Sequence, residues 1–362
     1  MKKVVKLLII SLLVLATACA FVACDATNGK TSEKGIVIKK LSGDNFYTVT
    51  DYGAEDGVTT LDISAAAKEK YGEDVIIGRI RTGAFDGNDT LTEIIVSDKA
   101  GDDVELTIDK GAFKNMRALE KITLPFVGAN GFSDAYFNET APALGDALKA
   151  TDSERLFGYI FGEDEYDYGA KIAQAYGDTD SMTATYYIPA TLREITISAE
   201  NEINIPMYAF YGLDGITIIK LNGSIKAIGV AAFKNAKGLK SLNIPAGVKV
   251  IYANAFEGAE SFRDFGDNGF KIDANSSLEE IKDSAFKGTN LRSFDLSDTQ
   301  VATIGDYAFY GSALTSFTFS AKISGKTTVG AYAFANSSKL DCDVSDCIEG
   351  VNAFIGTPVL DK

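Results

Sequence analysis

From residue 84 onward the dipeptide Ala-Phe occurs nine times, and this recurrence constrains the fold more than any other feature of the sequence. Three of the steps between successive copies are 23 residues long. A fixed period of about 20 to 50 residues is typical of repeat architectures. The alanines of the dipeptides are Ala84, Ala112, Ala209, Ala232, Ala255, Ala285, Ala308, Ala333 and Ala353.

The apolar residues around the dipeptides also keep fixed offsets. Counted from Ala232, apolar residues stand at +7, +10, +12, +16 and +19, and the same offsets from Ala209 are apolar too. The alternation at +10 and +12 puts two side chains on one face, which predicts a short strand. Pro125 and Pro245, both at +13, end that strand because proline has no N–H to donate. The two matched sets are Leu239, Leu242, Ile244, Val248 and Ile251, and Ile216, Ile219, Leu221, Ile225 and Ile228.

One such unit has too little apolar surface to form a core alone, so successive units must stack. The sequence therefore predicts a β-rich repeat solenoid with short parallel strands and a unit of about 23 residues, interrupted by one insertion. We expect repeats over 81–125 and again over 189–362, where the last residues form a C-terminal cap. Residues 35–80 are expected to cap the amino-terminal end, with strands at 36–38 and 46–50 and a helical turn at 64–71.

The repeat resembles the BspA-type, or Treponema-type, leucine-rich repeat of bacterial surface proteins. Residues 239–245, Leu-Lys-Ser-Leu-Asn-Ile-Pro, followed by Val248, Ile251 and Ala255-Phe256, carry this resemblance. It extends over about 80–362 apart from the insertion. Two units depart from the pattern: Phe262 and Phe265 replace aliphatic residues in one, and Cys342 with Val344 take the strand positions in the other. The resemblance implies a binding or adhesion protein exposed on the cell surface.

The step of 97 residues between Ala112 and Ala209 contains an insertion, residues 126–188. Its aromatic motif at 156–162, Leu-Phe-Gly-Tyr-Ile-Phe-Gly, either anchors a long loop on the solenoid or contacts a ligand. Tyr166, Tyr168 and Tyr186 are candidate contacts, because tyrosine buries area at low entropic cost and keeps a hydroxyl group for pairing. The acidic stretch at 163–167 lacks the spaced pattern of a calcium loop, so we expect no metal.

The amino terminus has the features of a secretory signal peptide over residues 1–23. A short basic region precedes an apolar run of about ten residues and a series of small residues. The segment resembles the lipobox of bacterial lipoproteins, with Cys24 as the expected lipidated residue and Cys19 as the alternative. Residues 24–34 are then a polar tether. The expected location is the outer face of the bacterial membrane, anchored by lipid, and free secretion is the alternative.

Composition excludes several classes of function. The chain of 362 residues has no histidine, which removes the usual general base and most zinc sites. Its net charge is −15, and without the three lysines of the signal peptide it falls to about −18, which argues against nucleic acid. We expect no enzymatic activity and no cofactor. Cys342 and Cys347 either form a disulfide or act as two small buried hydrophobic residues.

The candidate binding face is the row of residues between the paired apolar positions of each predicted strand. These residues are Thr123, Lys220, Asn243, Asp295 and Thr318. They vary in chemistry while the apolar positions repeat. The main functional hypothesis is adhesion to, or interaction with, an extracellular protein. The alternative is a surface lipoprotein that captures a glycan or solute through the insertion at 126–188.

Overall fold

The computed structural model of the chain describes residues 33–97, 104–130, 152–177, 181–264, 266 and 269–361. The cap at the amino-terminal end has two antiparallel strands, β1 (Gly35–Lys39) and β2 (Tyr47–Gly53), and one helix, α1 (Ile63–Tyr71). The Asp62 carboxylate begins the helix by accepting a hydrogen bond of 3.0 Å from the Ala65 N–H. The strands and the helix that the sequence predicts in this region are confirmed.

The rest of the described chain is a stack of coils, and most coils contribute two short strands to two parallel tracks. The strands of the first track are β3 (Thr60–Asp62), β5 (Glu93–Ile95), β7 (Lys121–Leu124), β12 (Ser241–Ile244), β14 (Phe270–Ile272), β16 (Ser293–Asp295) and β18 (Ser316–Thr318). Those of the second are β4 (Ile77–Ile80), β6 (Thr107–Ile108), β13 (Val250–Ile251), β15 (Glu280–Ile281), β17 (Thr303–Ile304), β19 (Thr327–Val329) and β20 (Cys347–Glu349).

Two longer strands, β10 (Glu194–Ile205) and β11 (Ile218–Ile228), run through both tracks and join most of their strands into one sheet of twelve described strands. Among the described residues β4 and β6 belong instead to a sheet with β1 and β2, and β16 pairs with β18 in a sheet of two. An antiparallel hairpin of β8 (Gly169–Tyr176) and β9 (Met182–Pro189) precedes them. Short 3-10 helices span Asp152–Arg155, Phe157–Phe161 and Pro358–Asp361. The repeat solenoid with parallel strands that the sequence predicts is confirmed.

The second track is an addition to the sequence-based prediction, which placed one strand in each unit. Its buried aliphatic residue stands four positions before the alanine of the following dipeptide. That residue is Ile80, Ile108, Ile205, Ile228, Ile251, Ile281, Ile304 or Val329 in successive coils, and each is at most 1% exposed. The second strand therefore keeps its register with the next dipeptide even where the unit is lengthened.

The Ala-Phe dipeptide is the junction between coils. The Phe233 N–H donates to the carbonyl oxygen of Ala255 at 2.7 Å, and the same bond recurs from one coil to the next. The phenylalanine rings stack beneath these bonds. Phe233 and Phe256 have centroids 5.0 Å apart and an interplanar angle of 4°, and Phe309 and Phe334 are 5.1 Å apart at 1°. This spacing is close to the strand separation of about 4.8 Å, so the rings and the strands share one repeat distance.

Each dipeptide lies between two residues in the left-handed backbone conformation, at the position before the alanine and at the third position after it. The third position is always glycine or asparagine, the residues that adopt positive φ at the lowest cost. Its occupants are Gly87, Asn115, Gly212, Asn235, Gly258, Gly288, Gly311, Asn336 and Gly356. The preceding position also accepts Tyr208, Ala231, Ser284, Tyr307 and Tyr332. The glycine or asparagine at the third position after each dipeptide alanine can be read from the sequence, and our prediction of the repeat did not use it.

The aromatic motif of the insertion supplies a coil that lacks the dipeptide. Phe113 donates its N–H to the carbonyl oxygen of Ile160 at 2.9 Å, and Phe157 donates to Ala209 at 2.9 Å. The ring of Phe161 lies 6.3 Å from Phe113, and Phe157 lies 5.7 Å from Phe210. Both rings are fully buried. The motif is therefore core packing, and the ladder of rings continues through the insertion.

The hairpin of β8 and β9 is fastened to this coil by one buried amide. The Gln174 side chain accepts from the Gly158 N–H at 2.7 Å and donates to the carbonyl oxygen of Ala209 at 3.1 Å. Gln174 is fully buried, so each of these bonds satisfies a group that would otherwise be costly to bury. The hairpin is thus part of the solenoid core on one side.

The two irregular units differ in detail from the prediction. In the longer unit Phe270 pairs with Leu242 at the strand position, and the Gly266 N–H donates to the Phe270 carbonyl oxygen at 2.8 Å. Phe262 is buried as expected, and Phe265 lies outside the described residues. In the last unit Cys342 and Val344 are partly buried without forming a strand.

Replacing Phe161 with alanine should lower the free energy of unfolding by about 3 to 5 kcal/mol, as for Phe233→Ala, because both rings fill the same ladder. Tyr168→Ala in the same insertion should change it by less than about 0.5 kcal/mol, since that ring is exposed. Urea unfolding of the three variants measures the difference. If the insertion did not contribute to the core, Phe161→Ala would change the free energy of unfolding as little as Tyr168→Ala.

Replacing Gly288 with alanine should cost about 1 to 2 kcal/mol, because its φ of 69° is unfavourable for a residue with a Cβ. A Cβ there would meet no other atom within 4 Å, so the cost is conformational and not steric. Gly288→Asn is the matched control and should lose much less, as asparagine occupies this place in other coils. Thermal unfolding compares them, and an equal loss in both variants would contradict the left-handed requirement.

Candidate binding face

The residues of the predicted binding face lie in register along the first strand track. Thr123 stands opposite Thr196, Thr196 opposite Lys220, and Asp295 opposite Thr318. We call this line of outward positions the strand row. It consists of Thr123, Thr196, Lys220, Asn243, Lys271, Asp295 and Thr318.

Thr196 and Lys271 were missed from the sequence because neither stands at the expected offset from a dipeptide. Thr196 follows the insertion, and Lys271 belongs to the longer unit. The sequence does mark both positions by the alternation of apolar and polar residues around them. Thr196 lies between Ile195 and Ile197, and Lys271 lies between Phe270 and Ile272.

The members of the strand row differ in how free their side chains are. Lys220, Asp295 and Thr318 are exposed, whereas Thr123 and Asn243 are half-buried. Lys220 pairs with the Glu194 carboxylate at 2.5 Å. Exposed pairs of this kind contribute little to stability, so Lys220 remains available to a partner at low cost.

Asn243 has a structural role that limits its use in binding. Its side chain accepts from the Leu221 N–H at 2.9 Å and donates to the Leu221 carbonyl oxygen at 2.8 Å, and it donates to the Asp273 carboxylate at 3.3 Å. The amide therefore continues the hydrogen bonding between coils. Asn243 stays a predicted member of the binding face, with its amide hydrogen-bonded within the solenoid.

The three tyrosines predicted as insertion contacts have three different environments. Tyr168 is 75% exposed. Tyr166 is half-buried, with its hydroxyl group enclosed and without a hydrogen-bond partner, and burial raises its pKa. Tyr186 is fully buried, its hydroxyl donates to the Ser153 carbonyl oxygen at 3.1 Å, and its pKa is also raised by burial. The prediction for Tyr186 is wrong, because its ring belongs to the core of the hairpin.

The acidic stretch of the insertion pairs with the neighbouring repeats. Lys110 contacts Glu163 at 2.5 Å, Lys114 contacts Asp164 at 3.2 Å, and the Tyr187 hydroxyl donates to Glu165 at 3.2 Å. Among the described residues, no group of three or more potential metal-binding side chains occurs. The two ion pairs join this stretch to the repeat at Ala112, and the Tyr187 hydrogen bond lies within the insertion.

The two cysteines near the carboxyl-terminal end, Cys342 and Cys347, are not joined by a disulfide. Burial, followed by the charge of Glu349, raises the pKa of the Cys347 thiol to about 11. A thiol with so high a pKa is protonated at neutral pH and therefore a poor nucleophile. Of the two alternatives left open by the sequence, the structure has the buried hydrophobic residue at Cys347, while Cys342 is half-buried.

Cys19 and Cys24, the alternative predicted lipidation positions, lie outside the described residues, as does the predicted signal peptide over 1–23. In the part of the chain that the structure describes, none of the helices is long and apolar enough to span a bilayer.

The comparison with known proteins was made on sequence and on structure. The model of the BspA type leucine rich repeat region matches in 6 copies over residues 75–141, 183–266 and 266–352. No curated protein matches this chain in sequence.

The solved structures that match this chain include three leucine-rich-repeat proteins. A leucine-rich repeat protein from Bacteroides ovatus is 17% identical, with 90% of this chain and 79% of that chain covered and a TM-score of 0.38. The T. pallidum leucine rich repeat protein is 19% identical over 41% of this chain and 78% of that one, with a TM-score of 0.31. A leucine rich cell surface protein from Faecalibacterium prausnitzii is 14% identical over 93% and 88%, with a TM-score of 0.25.

The assignment rests on the repeat model, which covers more than half of the chain and matches both blocks of coils on either side of the insertion. Its repeats coincide with the coils whose dipeptides, strands and ring ladder are described above. This chain belongs to the BspA-type leucine-rich-repeat family.

Proposed function

We propose that this protein is a cell-surface binding protein that holds an extracellular protein against its strand row. The observation that carries the proposal is the strand row itself: outward side chains of differing chemistry lie in register over a core that repeats from coil to coil. Solenoids of this kind provide extended surfaces for binding, because successive coils add contacts along one face.

The chemistry of the strand row suits a protein partner. Short threonine side chains leave the sheet accessible, and Lys220 and Asp295 provide charges of both signs at exposed positions. Charged and polar groups of this kind give specificity and orient a partner on approach. Binding rather than catalysis is supported by the absence of histidine from the chain and by the protonated, buried Cys347 thiol.

Attachment to the cell surface is the second part of the proposal. Secretion through the signal peptide at 1–23, followed by lipidation of Cys24, would leave the polar tether 24–34 between the membrane and the cap. A lipoprotein modification provides more than one acyl chain, which stable anchoring requires.

The Cys24→Ser variant should be lost from the membrane fraction, whereas Cys19→Ser should remain there. Fractionation of expressing bacteria followed by immunoblotting measures both. If Cys19→Ser alone is released, the lipidated residue is Cys19; if both variants remain with the membrane, the lipid anchor is excluded.

Bulky charges in the strand row should block binding. The variant Thr196→Arg/Thr318→Arg places two long side chains in the strand row, where they should keep a bound protein from contacting the sheet. The affinity should fall by more than about tenfold, because a few contacts carry most of the energy of an interface. The probes are purified extracellular matrix proteins, mucin and whole bacterial cells, each tested against the immobilised full chain.

Thr303→Arg/Thr328→Arg is the matched control, since these two exposed threonines stand opposite each other on the second track. It adds the same charge and should leave affinity unchanged. Equal losses in both variants, or none in either, would contradict the strand row as the site. Tyr168→Ala tests the alternative, capture of a glycan by the insertion 126–188; loss of mucin binding in that variant alone would favour it. Deleting the whole insertion is unsuitable, because Phe157 and Phe161 belong to the core.

A further inference from the structure

A shallow cleft of about 440 Å³ opens beside the first strand track in the coils that begin at Ala255, Ala285, Ala308 and Ala333. It is lined by Arg263, Asn290, Arg292, Ala313, Thr315 and Lys339. Its floor is regular, because the Arg292 N–H donates to the Arg263 carbonyl oxygen at 3.3 Å and the Thr315 N–H donates to that of Arg292 at 2.6 Å. The side chains around the cleft are therefore held at the spacing of the coils.

The cleft gathers positive charge on a chain whose net charge is −15. Arg263, Arg292 and Lys339 are all exposed, and none of them has a carboxylate partner among the residues that the structure describes. Lysines near the cleft are paired: Lys287 lies 3.1 Å from Glu257, and Lys237, in the preceding coil, lies 3.8 Å from Glu260. The three cations of the cleft are thus available to an anion from outside.

The cleft also offers hydrogen-bond acceptors next to these cations. Asn290 uses its amide N–H₂ on the Glu260 carbonyl oxygen at 2.6 Å, which leaves its Oδ1 to accept. Thr315 donates its hydroxyl to the Arg292 carbonyl oxygen at 2.8 Å, so its Oγ1 can accept as well. A ligand that satisfies this cleft needs an anionic group and hydroxyl groups close to it.

We propose that the cleft binds an acidic sugar, with its carboxylate or sulfate on Arg263 and Arg292 and its hydroxyl groups on Asn290 and Thr315. Guanidinium groups bind planar or tetrahedral oxyanions with two parallel hydrogen bonds, which gives both strength and orientation. An acidic peptide side chain brings the anion without the hydroxyl groups. The volume falls within the usual range of small-ligand sites, about 300 to 1,000 Å³.

Among the described residues that line the cleft none is aromatic, so these residues offer a neutral sugar no ring on which to stack. Recognition therefore depends on the anionic group. This site goes beyond the proposed protein binding by the strand row and stands independently of it, because none of its residues belongs to that row.

The test is isothermal titration of the full chain with oligogalacturonate, which presents carboxylates, and with a short dextran sulfate, which presents sulfates. Neutral dextran of the same length and a glutamate oligopeptide are the comparison ligands. We expect one or both acidic sugars to bind, neutral dextran not to bind, and the peptide to bind at least about tenfold more weakly. Arg263→Gln/Arg292→Gln should weaken sugar binding by at least about tenfold, since charge-assisted hydrogen bonds are lost.

Lys237→Gln/Lys287→Gln is the matched control: it removes one positive charge from a coil of the cleft and one from the adjacent coil, both outside the cleft lining, and should leave affinity unchanged. Arg263, Arg292 and Lys237 are exposed and Lys287 is half-buried, and equal melting temperatures will verify the folding of both double variants. Three results overturn the proposal: neither acidic sugar binds, the two variants lose affinity equally, or the glutamate peptide binds as tightly as the sugars. Loss of binding by the strand row variant to its protein probe is measured separately and has no bearing on these outcomes.

Discussion

The structure depends on the contact between successive Ala-Phe turns. The hydrogen bond from a phenylalanine N–H to the alanine carbonyl of the next coil sets their separation, as between Phe233 and Ala255. The rings stack beneath at about the same spacing, 5.0 Å for Phe233 and Phe256. Backbone bonding and ring packing thus require the same rise for each coil. Alanine suits this place because its small side chain permits the close approach.

This contact explains why the insertion does not interrupt the core. Any segment that offers a carbonyl oxygen and an aromatic ring at the correct separation can take the place of a dipeptide. Ile160 and Phe161 do so towards the preceding coil, and Phe157 does so towards the following one. The insertion therefore adds a hairpin at the surface and keeps the ladder of rings intact.

A core that repeats leaves the surface to differ from coil to coil. In the strand row, threonine, lysine, asparagine and aspartate side chains lie over buried aliphatic and aromatic residues. The residues that line the cleft at Arg263 and Arg292 also differ from one coil to the next. Both surfaces are built on regular backbone ladders, which hold the coils that carry them at a fixed spacing. Function in such a fold depends on positions that contribute little to its stability.

The periodic dipeptide and its apolar offsets determined the solenoid, the first strand track and most of the buried residues, because burial in a repeat follows the chain period. The roles of Asn243, Tyr186 and Phe161 were decided by tertiary structure, since each depends on a neighbour from a distant part of the chain: Leu221, Ser153 and Phe113. The grouping of Arg263 with Arg292 and Lys339 was decided in the same way. Residues on different coils become neighbours only after the coils have stacked.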